Sequence, residues 1–392
     1  MRLALGLARR GFGHTSPNPM VGAVLVKAGR IIGRGWHQHA GGPHAEIEAL
    51  HDAERRGQNP KGSTLYVTLE PCSTQGRTPP CTEALIRSGI KKVVVGATDP
   101  NPRHSGRAFP LLRGAGIAVV EGVLSEECER LNEAFNHWIV HGTPLVTIKA
   151  AITLDGKIAT ASGESKWITS EPARAYAMKL RQGADAILVG INTVLADDPK
   201  LTVRMVESLK SKVQGPQPRR IVLDSRGRTP LGAKLVRDEH AALTTVIVSE
   251  SAPKRRVAEL ARRVKVVVAP LVQSSKLPAS SRPAAQVPRI THHASRTTRP
   301  ASVDLRWVLR TLGSEDVTSL LVEGGGEVNA SFLLRGLAQS VAFFYAPIIL
   351  GGGDSRHAVG GDGARTLEEG LELTDPVWRR LGPDWLLSAR VS

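Results

Sequence analysis

The sequence predicts an α/β protein of two domains, and three observations carry that expectation. Short apolar runs alternate with helix-period segments along both halves of the 392 residues. The break His141-Gly142-Thr143-Pro144 divides this alternation, giving an expected domain over 1–143 and a second over 144–392. The first half reads as a three-layer α/β/α arrangement. The second carries the near-continuous apolar runs of a buried parallel sheet.

In the first half, Val21–Val26 and Ile31–Gly35 form a hairpin across Lys27–Arg30. A helix entered at His44 follows, with Gly41-Gly42-Pro43 as the punctuation before it. Thr64–Leu69 is a strand, Thr82–Ser88 a helix stopped by Gly89, and Lys92–Ala97 a strand. A helix over Arg107–Gly114 and a strand over Ile117–Glu121 lead to one long helix from Ser125 to about His141. Ser125, Glu126 and Glu127 give that helix an acidic start. Leu124, Cys128, Leu131, Phe135 and Trp138 share one of its faces, so Cys128 reads as core.

The second half opens on the strand Leu145–Ala151, and Ser170-Glu171-Pro172 starts a helix with Ser as its cap. Ala186–Gly190, Arg219–Asp224, Thr244–Ser249, Val264–Val268 and Ser319–Glu323 read as buried parallel strands. Residues 272–300 read as an exposed loop, part of the irregular basic stretch over 205–300. Glu323-Gly324-Gly325-Gly326-Glu327 joins a strand to a helix, the arrangement that brings backbone N–H groups to a phosphate. Gly351-Gly352-Gly353 invites the same reading. Lys149 stands inside an apolar strand, where a charge needs a partner or a task; a solvated edge strand is the alternative.

One constellation carries more chemistry than any other. His44-Ala45-Glu46 is followed by Pro71-Cys72 and then Cys81. One imidazole and two thiolates leave a zinc ion a fourth position for water, whose pKa falls toward roughly 7 there. Glu46 is the spare carboxylate that moves protons. Positions i and i+2 of a regular helix diverge, so His44 must precede the regular turn if both groups are to converge. This order of residues resembles the signature of zinc deaminases. The eleven other histidines carry no comparable signal.

Charge and composition narrow the field. The net charge is +16, but residues 201–300 hold 20 Lys and Arg against 6 Asp and Glu, well away from the zinc motif. That stretch is rich in Pro, Ser and Ala, and only 4% of the chain is aromatic, which argues against a stacking groove for nucleic acid. No apolar run approaches a membrane span. Three Cys leave no disulfide framework and suit a reducing, cytoplasmic setting.

Together the motifs resemble one family over almost the whole chain, the bifunctional riboflavin-biosynthesis deaminase–reductases. The matching segments are Pro17-Asn18-Pro19-Met20-Val21-Gly22, Pro43-His44-Ala45-Glu46, Thr68-Leu69-Glu70-Pro71-Cys72-Ser73, Gly76-Arg77-Thr78-Pro79-Pro80-Cys81 and Asp99-Pro100-Asn101-Pro102. In the second half they are Lys149, Leu154-Asp155-Gly156, Ser162-Gly163-Glu164-Ser165, Trp167-Ile168-Thr169-Ser170, the run from Thr193 to Pro199, and Glu323-Gly324-Gly325. Eight residues separate Cys72 from Cys81, where other cytidine deaminases commonly have two, and this loop with Arg77 is expected to shape the pocket for a phosphorylated small molecule. The first helix, from Met1-Arg2-Leu3-Ala4, is expected to be shorter than in relatives.

The resemblance implies a cytidine-deaminase-like domain followed by a dihydrofolate-reductase-like α/β domain. It implies zinc-dependent hydrolytic deamination of 2,5-diamino-6-ribosylamino-4(3H)-pyrimidinone 5′-phosphate, then NADPH reduction of the ribosyl side chain to ribityl, with an open-chain imine accepting hydride. His44, Cys72 and Cys81 would hold the metal, Glu46 would move protons, and Asn18 would hold the substrate. Ala151, Trp167, Thr193, Asp197, Ser225, Gly324, Gly325 and Gly326 would contact the cofactor. Ser165, Arg181, Leu201, Arg204 and Glu323 would hold the second substrate, Arg181 and Arg204 as phosphate clamps, while Lys149 orients substrate or assists proton transfer. Arg226 and Arg228 are candidates for a cofactor 2′-phosphate. The expected partner is a small phosphorylated pyrimidine, with no nucleic acid or membrane, and the chain is expected to form a homo-oligomer.

Overall fold

Gly33 and Gly35 decide how closely the first helix layer lies on its sheet. A Cβ on Gly33 would stand 2.2 Å from the Ala49 carbonyl oxygen, and one on Gly35 2.2 Å from that of Ala45. The helix that packs there presents Ala45, Ala49 and Ala53, all fully buried. The computed structural model in which this is seen describes residues 1–74, 79–204, 215–272 and 302–392. The pocket-loop residue Arg77 and the loop expected from 272 to 300 lie outside the described residues, apart from Val272.

The first sheet comprises β1 (Gly22–Lys27), β2 (Arg30–Trp36), β3 (Thr64–Leu69), β4 (Lys92–Ala97) and β5 (Ala118–Val120), in the order β2-β1-β3-β4-β5. Ala28 and Gly29 both adopt positive φ, the turn geometry that closes a two-residue hairpin between β1 and β2. From β3 onward the strands run parallel. Helices α1 (Arg2–Ala8), α2 (Ala45–Arg55), α3 (Cys81–Arg87), α4 (Ala108–Gly114), α5 (Ser125–Leu131) and α6 (Glu133–His141) accompany it. Leu25, Leu65, Val67, Leu85, Val93 and Leu112 form the core with the alanine face of α2.

The long helix expected from Ser125 to His141 is broken. Asn132 leaves helical geometry between α5 and α6, and its side chain pairs with the backbone of Met20, accepting from the N–H at 2.8 Å and donating to the carbonyl at 3.0 Å. A side chain that satisfies a distant loop in this way competes with helix continuation. Cys128 is buried with Leu5, Leu69 and Ala97, but Phe135 and Trp138 lie beyond the break. Trp138 instead donates its indole N–H to Gly313 O at 2.8 Å, joining the two halves.

The second sheet has nine strands in the order β11-β10-β9-β8-β12-β6-β13-β16-β15. They are β6 (Leu145–Thr153), β8 (Ala186–Gly190), β9 (Arg219–Leu223), β10 (Thr244–Ser249), β11 (Lys265–Ala269), β12 (Ser319–Val322), β13 (Ser340–Ala346), β15 (Leu373–Leu381) and β16 (Asp384–Val391). A two-stranded ribbon pairs β7 (Lys157–Ala159) with β14 (Arg356–His357). All neighbours from β11 to β13 are parallel; β16 and β15 are antiparallel additions. Helices α7 (Glu171–Gln182), α8 (Ile191–Asp197), α9 (Lys234–Arg237), α10 (Lys254–Ala261), α11 (Leu305–Ser314) and α12 (Gly326–Leu333) complete the half. The strand β6 is interior, between β12 and β13, so the edge-strand alternative for Lys149 fails.

Two local expectations are corrected. Ser170 is the N-cap of α7 by position, yet its hydroxyl makes no cap bond and donates to Asp384 Oδ2 at 2.6 Å. The start of the Gly351 cluster is already engaged: the N–H groups of Leu350 and Gly351 donate to the Asp155 carboxylate at 3.2 and 2.7 Å. Among the described residues no helix is long and apolar enough to cross a membrane.

Candidate active sites

The first centre is built where three element ends meet. His44 is the extended N-cap of α2, Cys72 follows the end of β3, and Cys81 is the first residue of α3. His44 Nδ1 lies 3.3 Å from Cys81 Sγ and 3.5 Å from Cys72 Sγ, and the three donor atoms fall within 4.8 Å of one another. A tetrahedral zinc with its usual bond lengths separates nitrogen from sulfur by about 3.6 Å, so the donor set fits that ion. The N–H of Cys81 donates to Cys72 Sγ at 3.2 Å.

Electrostatics say the same. The hydrogen bond from the Cys81 thiol, opposed by burial and aided by His44, holds the Cys72 thiol down at about 4. The Cys81 thiol is pushed up by that same bond and by burial. Two adjacent sulfurs cannot both ionise without a cation between them, and a divalent metal is what would let them. Glu46, in the first turn of α2, is 3% exposed, and burial pushes its carboxyl up to about 7 despite the opposing pull of His44. A carboxyl so placed is matched to accepting and returning protons near neutral pH.

Two supporting residues were given no role by the sequence. Glu70 is buried, and its carboxylate accepts from the N–H groups of Asp99, Gly106 and Ala108 at 3.1, 2.9 and 2.9 Å. It therefore ties the end of β3 to the loop holding Asp99-Pro100-Asn101-Pro102. His37 is 1% exposed and lies 3.1 Å from Asn18 Nδ2. Burial lowers its pKa, so it is neutral at ordinary pH. A strand-end Glu and one His among twelve look ordinary until the loops are folded around them.

The second centre lies at the carboxyl ends of the parallel strands. Glu323 follows β12; Arg181 of α7 meets it with Nε to Oε1 at 2.7 Å and Nη2 to Oε2 at 2.9 Å. The third arm of Arg181 donates to Thr202 O at 3.0 Å. The clamp expected at Arg181 is thus already engaged with protein on all three nitrogens. Lys149 Nζ lies 3.7 Å from Glu323 Oε2 and 5.9 Å from the centre of the Phe344 ring. Burial would raise the Glu323 carboxyl, but Arg181 and then Lys149 outweigh it and hold it at about 2.

The remaining expected residues divide. Ser165 Oγ lies 3.5 Å from Asp197 Oδ1, and Lys166 Nζ 3.9 Å from the same oxygen, so these loops meet near Thr193 of α8. Trp167 is 71% exposed, with Arg174 stacked 4.8 Å from its centre, and is not core. Ala151 is partly buried on β6, and Ser225 follows β9, its carbonyl accepting from Ser249. Leu201 has φ +51 and a side chain buried with Val189 and Val194, so only its backbone is offered to a ligand. Arg204 and Arg226 are exposed, while Arg228 donates to Asn192 Oδ1 at 3.1 Å.

Two positions of the glycine loop admit no side chain, and one is open. A Cβ on Gly324 would stand 2.6 Å from Val328 Cβ, and one on Gly326 2.4 Å from the His357 carbonyl oxygen. Gly325, the N-cap of α12, has nothing within 4 Å of such a Cβ. Side-chain-free backbone at a helix start is a cradle for an anion.

Comparison with known proteins decides the family. Residues 144–387 match the model of the RibD C-terminal domain, and residues 1–97 that of the cytidine and deoxycytidylate deaminase zinc-binding region. The riboflavin biosynthesis protein RibD of Aquifex aeolicus is 42% identical over 387 residues, covering 99% of this chain and 96% of its own. The chain belongs to the RibD family of bifunctional deaminase–reductases. The RibD of Escherichia coli is 38% identical over 98% of this chain and 96% of its own. An Acinetobacter baumannii RibD structure superposes with a TM-score of 0.81 at 34% identity, over 100% of this chain and 97% of that one. The deaminase/reductase structure from Thermotoga maritima gives 0.78 at 36% identity, over the same shares of the two chains. Like them, this chain joins a cytidine-deaminase-like domain to a RibD reductase domain and is an enzyme of riboflavin biosynthesis.

Proposed function

We propose that residues 1–143 hydrolytically deaminate 2,5-diamino-6-ribosylamino-4(3H)-pyrimidinone 5′-phosphate and that residues 144–392 reduce the ribosyl side chain of the product to ribityl. The carrying observation is the meeting of His44, Cys72, Cys81 and buried Glu46 on one chain with the Lys149–Glu323 pair beside a glycine cradle. Zinc held by His44 and the two sulfurs would supply the Lewis acidity that brings a water proton into reach at neutral pH. Glu46 takes that proton as the water oxygen adds to the amino-bearing ring carbon. It returns the proton to the departing ammonia, and a carbonyl replaces the amine. Asn18 holds the pyrimidine.

In the second half NADPH would supply the hydride. Gly324, Gly325 and Gly326, with Ala151, Trp167, Thr193, Asp197 and Ser225, would seat it, and exposed Arg226 would meet its 2′-phosphate. Lys149 orients the sugar carbon and donates a proton near it, with Glu323 fixing the ammonium. Ser165, the Leu201 backbone and Arg204 hold the substrate, with Arg204 on its phosphate. Ammonia release and product mass, with and without NADPH, test the assignment. Ammonia in neither sample would contradict it.

We also propose a homo-oligomer built on the edge strand β15. Every residue from Gly361 to Arg380 is exposed, and Trp378 and Trp385 stand on one face at 55% and 46% exposure. The acids Glu368, Glu369, Glu372 and Asp375 precede the bases Arg379 and Arg380, so a two-fold copy lays acid against base. Pro376 and the irregular register between Thr374 and Val377 oppose open-ended strand addition. Trp378→Glu is expected to lower the mass seen by light scattering while deamination persists. A wild-type chain that is monomeric at micromolar concentration would contradict this. Three free thiols and no disulfide suit a cytoplasmic enzyme.

A further inference from the structure

His37 follows the last residue of β2, and both of its ring nitrogens are committed. Nδ1 lies 3.0 Å from the Pro43 carbonyl oxygen, and Nε2 lies 3.1 Å from Asn18 Nδ2. A carbonyl oxygen only accepts, so Nδ1 carries the ring proton. The neutral imidazole then presents a lone pair at Nε2, and only an N–H group satisfies it. The Asn18 amide is therefore turned with its NH2 toward His37 and its carbonyl oxygen away.

The same ring reaches the metal-binding segment from the other side. Pro43 directly precedes His44, and the His37 and His44 rings stand edge to face with centres 5.6 Å apart. His37's own N–H donates to Val21 O at 2.9 Å, which anchors the ring to the start of the β1 hairpin. Burial of the ring to 1% exposure leaves water no place in the exchange. One imidazole thus sets both an amide face and the carbonyl before a ligand.

We propose that His37 is a positioning residue of the deaminase half: it fixes the Asn18 amide so that the pyrimidine is received by the carbonyl oxygen, which selects a ring edge that donates an N–H. The proposal rests on Asn18 holding the substrate, as read above. A Gln amide can reproduce both bonds, its NH2 donating to Pro43 and its carbonyl accepting from Asn18.

The test measures ammonia release from the diaminopyrimidinone ribosylamino phosphate by the full chain. The variants are Asn18→Ala, His37→Phe, His37→Gln and the double variant Asn18→Ala/His37→Phe. Zinc content and reductase turnover are read on every variant. His37→Phe should raise KM roughly tenfold to hundredfold, the range expected for a lost buried polar contact, with zinc and reduction kept. The double variant should be no worse than Asn18→Ala alone, and His37→Gln should recover most of the loss. Additive losses, or wild-type KM in His37→Phe when Asn18→Ala is impaired, would overturn the proposal. So would loss of zinc in a His37→Gln protein that still reduces its substrate. Wild-type kinetics in Asn18→Ala would instead remove the substrate role of Asn18, and the proposal with it.

Discussion

Arg181 and Glu323 face each other as a buried fork and carboxylate, joined by two near-parallel hydrogen bonds of 2.7 and 2.9 Å. The pair fixes Glu323 as an anion beside Lys149 and so sets the charge of the second centre. Its carboxyl titrates at about 2 against an ordinary 4.5. A folded value below the unfolded one means full stabilisation above about 4.5, lost as pH falls toward about 2. The loss is on the order of 3 kcal/mol. Chemical denaturation of the reductase half across that window should show it, and Glu323→Gln should flatten the profile. That variant also strands Arg181, at about 3–5 kcal/mol throughout. An unchanged slope in Glu323→Gln would contradict this assignment.

Lys149→Ala should slow reduction roughly a hundredfold while ammonia release is unchanged, the usual scale for a lost proton-transfer group. Turnover with NADPH under saturating substrate reads it. Lys149→Arg should recover little, because a planar fork cannot replace a point donor 3.7 Å from Glu323. Reductase turnover intact in Lys149→Ala would sink the role given to this residue.

Glu46→Gln removes the carboxyl proposed to carry protons and leaves His44, Cys72 and Cys81 in place. Deamination should fall at least a hundredfold, while zinc stoichiometry and NADPH oxidation on pre-deaminated substrate remain. Chelation should produce the same split. Ammonia release at a near wild-type rate from either preparation would count against Glu46 and zinc alike.

Gly35→Ala tests the packing that places His44. The added Cβ meets backbone on both sides, the Ala45 oxygen at 2.2 Å and the Ala49 nitrogen at 2.3 Å, so α2 must lift. Overpacking of this kind costs about 3 kcal/mol. The unfolding transition of the first sheet should move to lower urea and zinc affinity should fall, with that of the second sheet unmoved. Wild-type zinc affinity would show that α2 tolerates the shift.

Much of this was legible in the sequence because the decisive signals are local. The strands Thr64–Leu69 and Lys92–Ala97 were bounded correctly, since apolar period and turn residues lie within a few positions of each other. His44 was readable as a helix entry from its i, i+2 spacing to Glu46 and from Gly41-Gly42-Pro43 just before it. Relationships across the chain were not. Asn132 breaks its helix for the sake of Met20, 112 residues away, and Arg181 is consumed by Glu323, 142 residues away. The strands β13, β15 and β16 went unlisted; β15 is exposed along its length, with Arg379 and Arg380 on opposite faces, so no apolar alternation marks that end of the sheet. His37 was dismissed with ten other histidines, since only the folded loops bring Asn18 and Pro43 to its ring.

The central claim is that one chain performs two reactions in series. Incubating it with the diaminopyrimidinone ribosylamino phosphate, with and without NADPH, and measuring ammonia and product mass tests this most directly. The account predicts ammonia in both samples and a ribityl product, two hydrogens heavier than the aminouracil, only with NADPH. No ammonia from the zinc-loaded chain, or ammonia with no reduced product when NADPH is present, would contradict it.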